Sequence, residues 1–314
     1  MASRRCSARL QRLIVSFATD HSLSQSRDRL LEHHGVEVCE SVIDRTLARH
    51  AARARDMQPK SPVGTLASEG AETIVTGADG TSIPVWSYDP DPPGGDRRKA
   101  KKREFKEMRL FVSRVKGRSE SRYAGGFVDM EQAAALWSHC VAACGWSPST
   151  RIHGVFDGAE WIRLRFEEQF GRSGSWLVDF FHLGGYVAAA GKSKRKNQCW
   201  LSERMSEIKR SDIEPTIAWL AANLEDQDLP DQEAPVRSAL RYVQNRLEHL
   251  DYAKARSEDL PIGSRMTEGA HRHVLHPKLK IAGAWNPDKA HNVAQLRLIR
   301  ANGQWESLWQ SAAA

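Results

Sequence analysis

Arg151-Ile-His-Gly-Val-Phe156-Asp157-Gly-Ala-Glu-Trp161-Ile-Arg-Leu-Arg-Phe-Glu-Glu-Gln-Phe170 is followed, after a short turn, by Trp176-Leu-Val178. The first six residues form an apolar run of strand length, and Asp157-Gly then turns the chain. Trp161 to Phe170 reads as a short helix, and Trp176-Leu-Val178 as a second apolar strand. A strand, a helix and a strand in series is the unit from which an α/β sheet is built.

The neighbours of this unit extend the sheet. Met130 to Cys144 places Ala133, Leu136, Trp137, Cys140 and Val141 on one helical stripe. Before it, Phe105 to Val112 and Tyr123 to Val128 fit two strands. Earlier still, Thr73-Ile-Val-Thr76 leads to Asp79, and Ser82-Ile-Pro-Val-Trp86 continues beyond it. If the stretch around Asp79 is one interrupted strand, the three β segments form an antiparallel meander. Three leading strands followed by helix, strand, helix and strand describe a mixed α/β sheet with helices packed on it.

Outside this core the pattern is helical. Residues 7–56 read as three helices, with Gly35 stopping the second. Arg45, Arg49, Arg53 and Arg55 follow at or near helical spacing on the third. A helix, a Gly-bearing turn and a basic helix is the outline of a helix-turn-helix DNA reader, and equally of a helical hairpin with a charged face. Pro59, Pro62 and Gly64 mark a linker over 57–70. From Gly185 to about Glu258 the chain is helical, charged and broken by Pro215, Pro230 and Pro235. That is too long for a loop in a compact core, and implies an inserted helical subdomain. The expected organisation is therefore 1–56 helical and DNA-binding, 57–70 linker, 71–184 first part of the core, 185–259 helical insertion, and 260–314 closing the core.

The 314 residues carry 46 Lys and Arg against 39 Asp and Glu, a net charge of +7 that favours a polyanionic partner. The positive charge is clustered in Arg97-Arg98-Lys99-Ala-Lys101-Lys102-Arg103 and Lys192-Ser-Lys194-Arg195-Lys196. Such runs are either solvated linkers or phosphate-contacting arms. No apolar signal core opens the chain, and no stretch of about 18 apolar residues exists to span a membrane. Five cysteines without paired spacing fit a reducing, cytoplasmic compartment.

Asp79, Asp157 and Glu268 are far apart, and each precedes a glycine in an apolar or small-residue setting. The first two look like strand ends, where a carboxylate emerges as the backbone turns. Carboxylates brought together repel unless a cation sits between them, and Mg²⁺ is the usual answer. In a basic chain, such a set points to metal-assisted cutting or joining of nucleic acid. His271, His273 and His276 follow Glu268, but no companion ligand pair has structural-zinc spacing. Trp285, Trp305 and Trp309 fit packing of the last helix better than base stacking.

Several segments occur in a telling order: Asp79-Gly-Thr, Phe156-Asp157-Gly-Ala-Glu-Trp-Ile, Val178-Asp179-Phe-Phe-His182, and Leu260-Pro-Ile-Gly-Ser-Arg-Met-Thr-Glu268-Gly. Gly283-Ala-Trp285-Asn and Leu296-Arg-Leu-Ile-Arg300-Ala-Asn-Gly303-Gln-Trp305 close the series. The set, over roughly residues 70–310, resembles the ISKra-type bacterial insertion-sequence transposases of the DDE superfamily. That resemblance implies a ribonuclease H-like core with two aspartates on neighbouring strands and a glutamate on a later helix. Those roles fall on Asp79, Asp157 and Glu268 as ligands of Mg²⁺ or Mn²⁺. It also implies an Asp-x-x-His signature before the helical insertion, which puts His182 near the scissile phosphate with Asp179 supporting it. On residue pattern alone, His182 reads as a satisfied histidine at a strand end. Arg265 departs from the family pattern, where a small residue follows Gly-Ser; it suits a phosphate contact or a decayed copy.

The implied activity is strand cleavage and strand transfer at element ends, with double-stranded DNA as substrate and target. Synapsis of two ends implies a homodimer or larger assembly. Arg45, Arg49, Arg53, Arg98, Lys101, Lys102, Lys194, Arg195, Lys196 and Arg265 are the expected DNA contacts. Two other outcomes stay open: a plain ribonuclease H-like nuclease, and a transposase-derived repressor without catalysis.

Overall fold

The computed structural model describes residues 6–88, 100–280 and 283–310. Three helices come first: Ala8–Asp20 (α1), Leu23–His34 (α2) and Glu40–Asp56 (α3). Ser7 caps α1, and Ser22 and Gln25 form a reciprocal capping box on α2. Gly35, at φ +62°, ends α2 in the left-handed conformation that glycine adopts without steric cost.

The sheet follows. Thr73–Tyr88 (β1) pairs antiparallel with Lys101–Val115 (β2), which pairs antiparallel with Ser121–Gly126 (β3). Met130–Ala142 (α4) crosses to Arg151–Phe156 (β4), which lies parallel to β1. Glu160–Phe170 (α5) then crosses to Gly174–Val178 (β5), parallel to β4. The sheet order is β3-β2-β1-β4-β5, a mixed α/β arrangement as expected. One expectation is corrected. β1 is not interrupted at Asp79 but runs through it to Tyr88, because β2 stays in register along its whole length. Asp79 is therefore in mid-strand.

Next come Phe180–Ser193 (α6), Gln198–Lys209 (α7), Glu214–Ala222 (α8), Pro235–Gln244 (α9) and Tyr252–Ser257 (α10). The helical block thus starts at Phe180, before the expected position 185, and takes His182 off the strand and into a helix. Asp179 causes this, since its side chain caps the new helix by accepting from the N–H groups of Phe181 and His182. The block has a small core of its own, built from Ala190, Leu220, Val236, Ala239 and Leu240. It is tied to the sheet by Tyr252, whose hydroxyl donates to the Val178 carbonyl at 3.1 Å.

The chain closes with Arg265–Ala270 (α11), a π-helical turn over His271–Leu275, His276–Leu279 (α12), Pro287–Ala301 (α13) and Trp305–Gln310 (α14). Alternation along the strands divides the core between two faces. Ile74, Ala78 and Phe111 face α4, α5 and α6, in a cluster centred on the fully buried Trp137. Ile83, Val85, Met108, Leu110 and Val112 face the opposite way, onto α1–α3 and α11–α14.

The N-terminal helices do not form a core apart from the rest. Ile14, Leu30, Ile43 and Leu47 are buried with Val293, Leu296 and Leu308 of the last helices. Polar contacts follow the same seam, as in Lys289 Nζ to Asp44 at 2.8 Å and the pairing of Asp20 with Arg297 and Arg300. The segment read as a linker lies along α4: the Val63 N–H donates to Ser138 Oγ at 3.1 Å, and Leu66 packs on the core. Trp285, Trp305 and Trp309 pack against the second cluster, and Trp309 lies on the His50 ring, centroids 4.4 Å apart. Among the described residues no helix is long and apolar enough to cross a membrane.

Candidate functional site

Asp79, Asp157, Asp179, His182 and Glu268 all line one cavity of about 360 Å³ at the end of β4. Each arrives by a different route. β1 and β4 run parallel with Thr76 opposite Gly154, so the register carries Asp79 to the level of Asp157, just past the end of β4. Gly158 then turns the chain at φ +75°, and the Ala159 N–H donates to Asp157 Oδ1 at 2.8 Å. Glu268 comes from α11, which lies directly on β1. A Cβ at Gly77 would stand 2.4 Å from Thr267 Oγ1, so only glycine leaves room for that helix.

Asp179 differs from its neighbours. It is 3% exposed and both its oxygens are occupied. Oδ1 accepts from Phe181 N at 2.6 Å and His182 N at 3.1 Å; Oδ2 accepts from Ser264 N at 2.9 Å and from the Ser264 hydroxyl. One carboxylate thereby ties the start of α6 to the residue that precedes α11. Phe180 N–H to the Ile262 carbonyl, 2.9 Å, closes the same junction. The signature in sequence was legible, but its partner Ser264 was not.

The helical block supplies two further groups. The Tyr242 hydroxyl donates to the Asp157 carbonyl at 2.6 Å, and burial pushes its pKa up. Arg246 Nη2 donates to the Gly158 carbonyl at 2.9 Å, and its guanidinium lies 4.1 Å over the Tyr242 ring. Tyr186 stacks on Tyr242 at 4.1 Å, with the exposed His182 ring 5.8 Å from Tyr242. Tyr242 lies on α9 and Arg246 in the turn just after it, and nothing in their spacing names the Asp157 turn as their target.

His271 was also missed. It is 4% exposed, in the π-helical turn, with Nε2 3.1 Å from Asp79 Oδ2 but off the line of a hydrogen bond, so that both ring nitrogens are unpartnered. Its ring stacks on His276 at 5.2 Å, whose Nε2 lies 3.1 Å from Thr81 Oγ1 on β1. Burial holds the His276 pKa down at about 4. His271 and His276 thus pack against Asp79 and β1, while His273 is exposed.

The expected DNA contacts are dispersed. Arg265 is exposed at the start of α11, one turn before Glu268. Lys101 and Lys102 are exposed on β2, while Arg98 lies outside the described residues. Lys194, Arg195 and Lys196 sit at the far end of α6, roughly 18 Å along its axis from His182. Arg45 and Arg49 are exposed on α3 and Arg53 is half-buried, on the side of the sheet away from α5.

Three carboxylates facing one cavity are the hard oxygen donors that Mg²⁺ or Mn²⁺ takes, so the residues fit such an ion in kind. Among the described residues, no three His, Cys, Asp or Glu side chains stand close enough to hold one. No protein-family model matches the chain, and no curated protein matches it.

Proposed function

We propose that this chain is a metal-dependent enzyme acting on the phosphodiester backbone of nucleic acid. More narrowly, we read it as a DDE transposase that cuts and joins DNA at insertion-sequence ends. One observation carries the reading: Asp79, Asp157 and Glu268, from two neighbouring strand positions and a later helix, line one cavity. That is the disposition which a ribonuclease H-like core of this superfamily requires, and the mixed sheet is compatible with it.

Asp79, Asp157 and Glu268 would draw together to hold Mg²⁺ or Mn²⁺, which when bound would supply charge neutralisation at the phosphate and activation of a water or 3′-hydroxyl. The chain's own groups then have separate tasks. Asp179 fixes the spacing of α6 and α11, and so of His182 and Glu268. Tyr242 and Arg246 hold the Asp157-Gly158 turn from its carbonyl side, leaving the carboxylate facing the cavity. His182, exposed and lining the cavity, is read as the donor to a phosphate oxygen or leaving group. Arg265 follows the cavity-lining Ser264 in the chain and is exposed. Two ends must be brought together, so a dimer on DNA is part of the reading.

The test is direct. Purified protein is incubated with labelled duplexes from the DNA flanking its own reading frame, with and without Mn²⁺. Metal-dependent nicks at a defined terminus, followed by joined products, are expected. Nicks without joining from pre-cut ends identify a plain nuclease. DNA binding with no nick under any metal identifies a repressor and overturns the enzyme reading.

A further inference from the structure

β1 outruns its parallel neighbour. β4 ends at Phe156, level with Ala78, while β1 continues from Gly80 to Tyr88, still paired with β2 over residues 101–109. This two-stranded ribbon rises from beside Asp79. One face is occupied: Ile83 and Val85 are buried against the C-terminal helices, and Trp285 bridges to Val85. The opposite face carries three cross-strand rows, Pro84 with Phe105, Trp86 with Arg103, and Tyr88 with Lys101.

That face has a distinct chemistry. The Lys101 ammonium lies 4.2 Å over Trp86, and the Arg103 guanidinium lies 5.4 Å over Phe105. Aromatic faces hold both cations at fixed positions without neutralising them. Tyr88 and Phe105 are 66% and 65% exposed, unusual for rings on a strand. The acid on this face, Glu107, is taken up by Arg109, Nε to Oε2 at 3.3 Å. The outer rows of this face are thus positive and open, and the ribbon that carries them is continuous in the chain with Asp79, whose side chain alternates to the other face.

We propose that this ribbon is a docking track for the duplex flanking the phosphodiester that is cut at Asp79. The proposal rests on the DNA reading above and adds to it where the substrate runs. Eight residue steps at about 3.4 Å each make a track of about 27 Å. A duplex rises about 3.4 Å per base pair along each strand, so the track matches about eight base pairs. Lys101 and Arg103 contact phosphates of that flank, and charge complementarity selects the partner.

The experiment uses the full chain and fluorescence anisotropy, with Ca²⁺ replacing Mg²⁺ to avoid cutting. Lys101→Gln/Arg103→Gln keeps two polar stems and removes both charges. Its plot of log affinity against log salt should be shallower than the wild type's by about 1.8, since each lost phosphate contact removes about 0.9. The wild type should lose affinity steeply when the flank is trimmed below about eight base pairs, and the double variant should be nearly indifferent to trimming. An unchanged slope in a variant with wild-type circular dichroism overturns the track, as does wild-type binding that ignores flank length. Tighter binding of a single-stranded flank overturns the duplex as occupant. Absence of any DNA binding by the wild type fails the underlying reading itself, which separates the two failures.

Discussion

Asp179 and the three acids around it share one cavity but are treated oppositely by the fold. Asp179 is buried and accepts four hydrogen bonds, from two backbone N–H groups of its own helix and both donors of Ser264. Asp157 has one oxygen engaged by a backbone N–H, Glu268 is exposed on α11 with Oε1 3.5 Å from the Ser264 hydroxyl, and among the described residues Asp79 has an off-line approach to His271. A saturated carboxylate is part of the scaffold, because a ligand would have to displace bonds that hold two helices together. Carboxylates with free oxygens facing a cavity are the ones available to a cation or substrate. Position in the cavity alone does not separate the two kinds; hydrogen-bond saturation does.

The largest effect tests the open set. Asp79→Asn, Asp157→Asn and Glu268→Gln should each lower nicking by roughly 10²–10³-fold or more, with Mn²⁺ affinity falling in step. Thermal unfolding should stay near wild type, since each substitution is nearly isosteric. A variant of the three that keeps substantial nicking removes that residue from the site. Asp179→Ala should do the reverse in kind: it strands the Ser264 donors and uncaps α6, costing about 2–3 kcal/mol of stability. Ser264→Ala should cost less, and the double variant should fall short of the sum, as residues in one network do by about 0.5–3 kcal/mol. Additive losses measured by denaturant unfolding would break the claim that the pair acts as one tie.

A smaller effect sharpens how the open acids are placed. Glu268 is brought to Asp79 by packing, through the contact of Thr267 with Gly77. Gly77→Ala should overpack this contact and cost about 1–3 kcal/mol. Thr267→Ala in the same chain should recover part of that loss by removing the hydroxyl that the new Cβ meets. If Gly77→Ala unfolds like wild type and nicks normally, α11 is not seated on β1 as closely as the structure has it.

Much of this was readable beforehand, and the reasons differ by scale. Strand and helix patterns are local, so Arg151 to Val178 announces its strand, helix and strand, and Gly35 its helix stop. Strand length is not local: β1 passes through Asp79 because β2 pairs with it all the way, and Gly80 reads as a turn until that partner is known. The same limit hid Ser264 from Asp179, Tyr242 and Arg246 from the Asp157 turn, and His271 from Asp79. An apolar stripe on α3 says that the helix is covered, not that α13 covers it. Asp79, Asp157 and Glu268 stand out in the sequence because glycine neighbours and the order of the motifs in the resembling family mark them without any knowledge of partners; the structure adds that they line one cavity.

The last expected effect concerns pH and falls on the other face of the sheet. Burial, reinforced by Arg53 and Arg49, holds the His50 pKa down at about 4; burial with Arg55 and Lys106 does the same for His291. The neutral rings are used: His50 Nε2 pairs with Gln11 Oε1 at 2.9 Å, and His291 Nδ1 accepts from the Phe127 N–H at 3.1 Å. An unfolded histidine binds its proton near pH 6.5, so between about 6.5 and 4 the unfolded chain holds more protons than the folded one. Stability is therefore full above about pH 6.5 and falls as the pH drops towards 4. Melting temperatures measured across that window should decline, and His50→Gln with His291→Asn should flatten the decline. A decline that survives both substitutions points instead to His276, its pKa likewise held down at about 4 and its ring packed against His271 and β1.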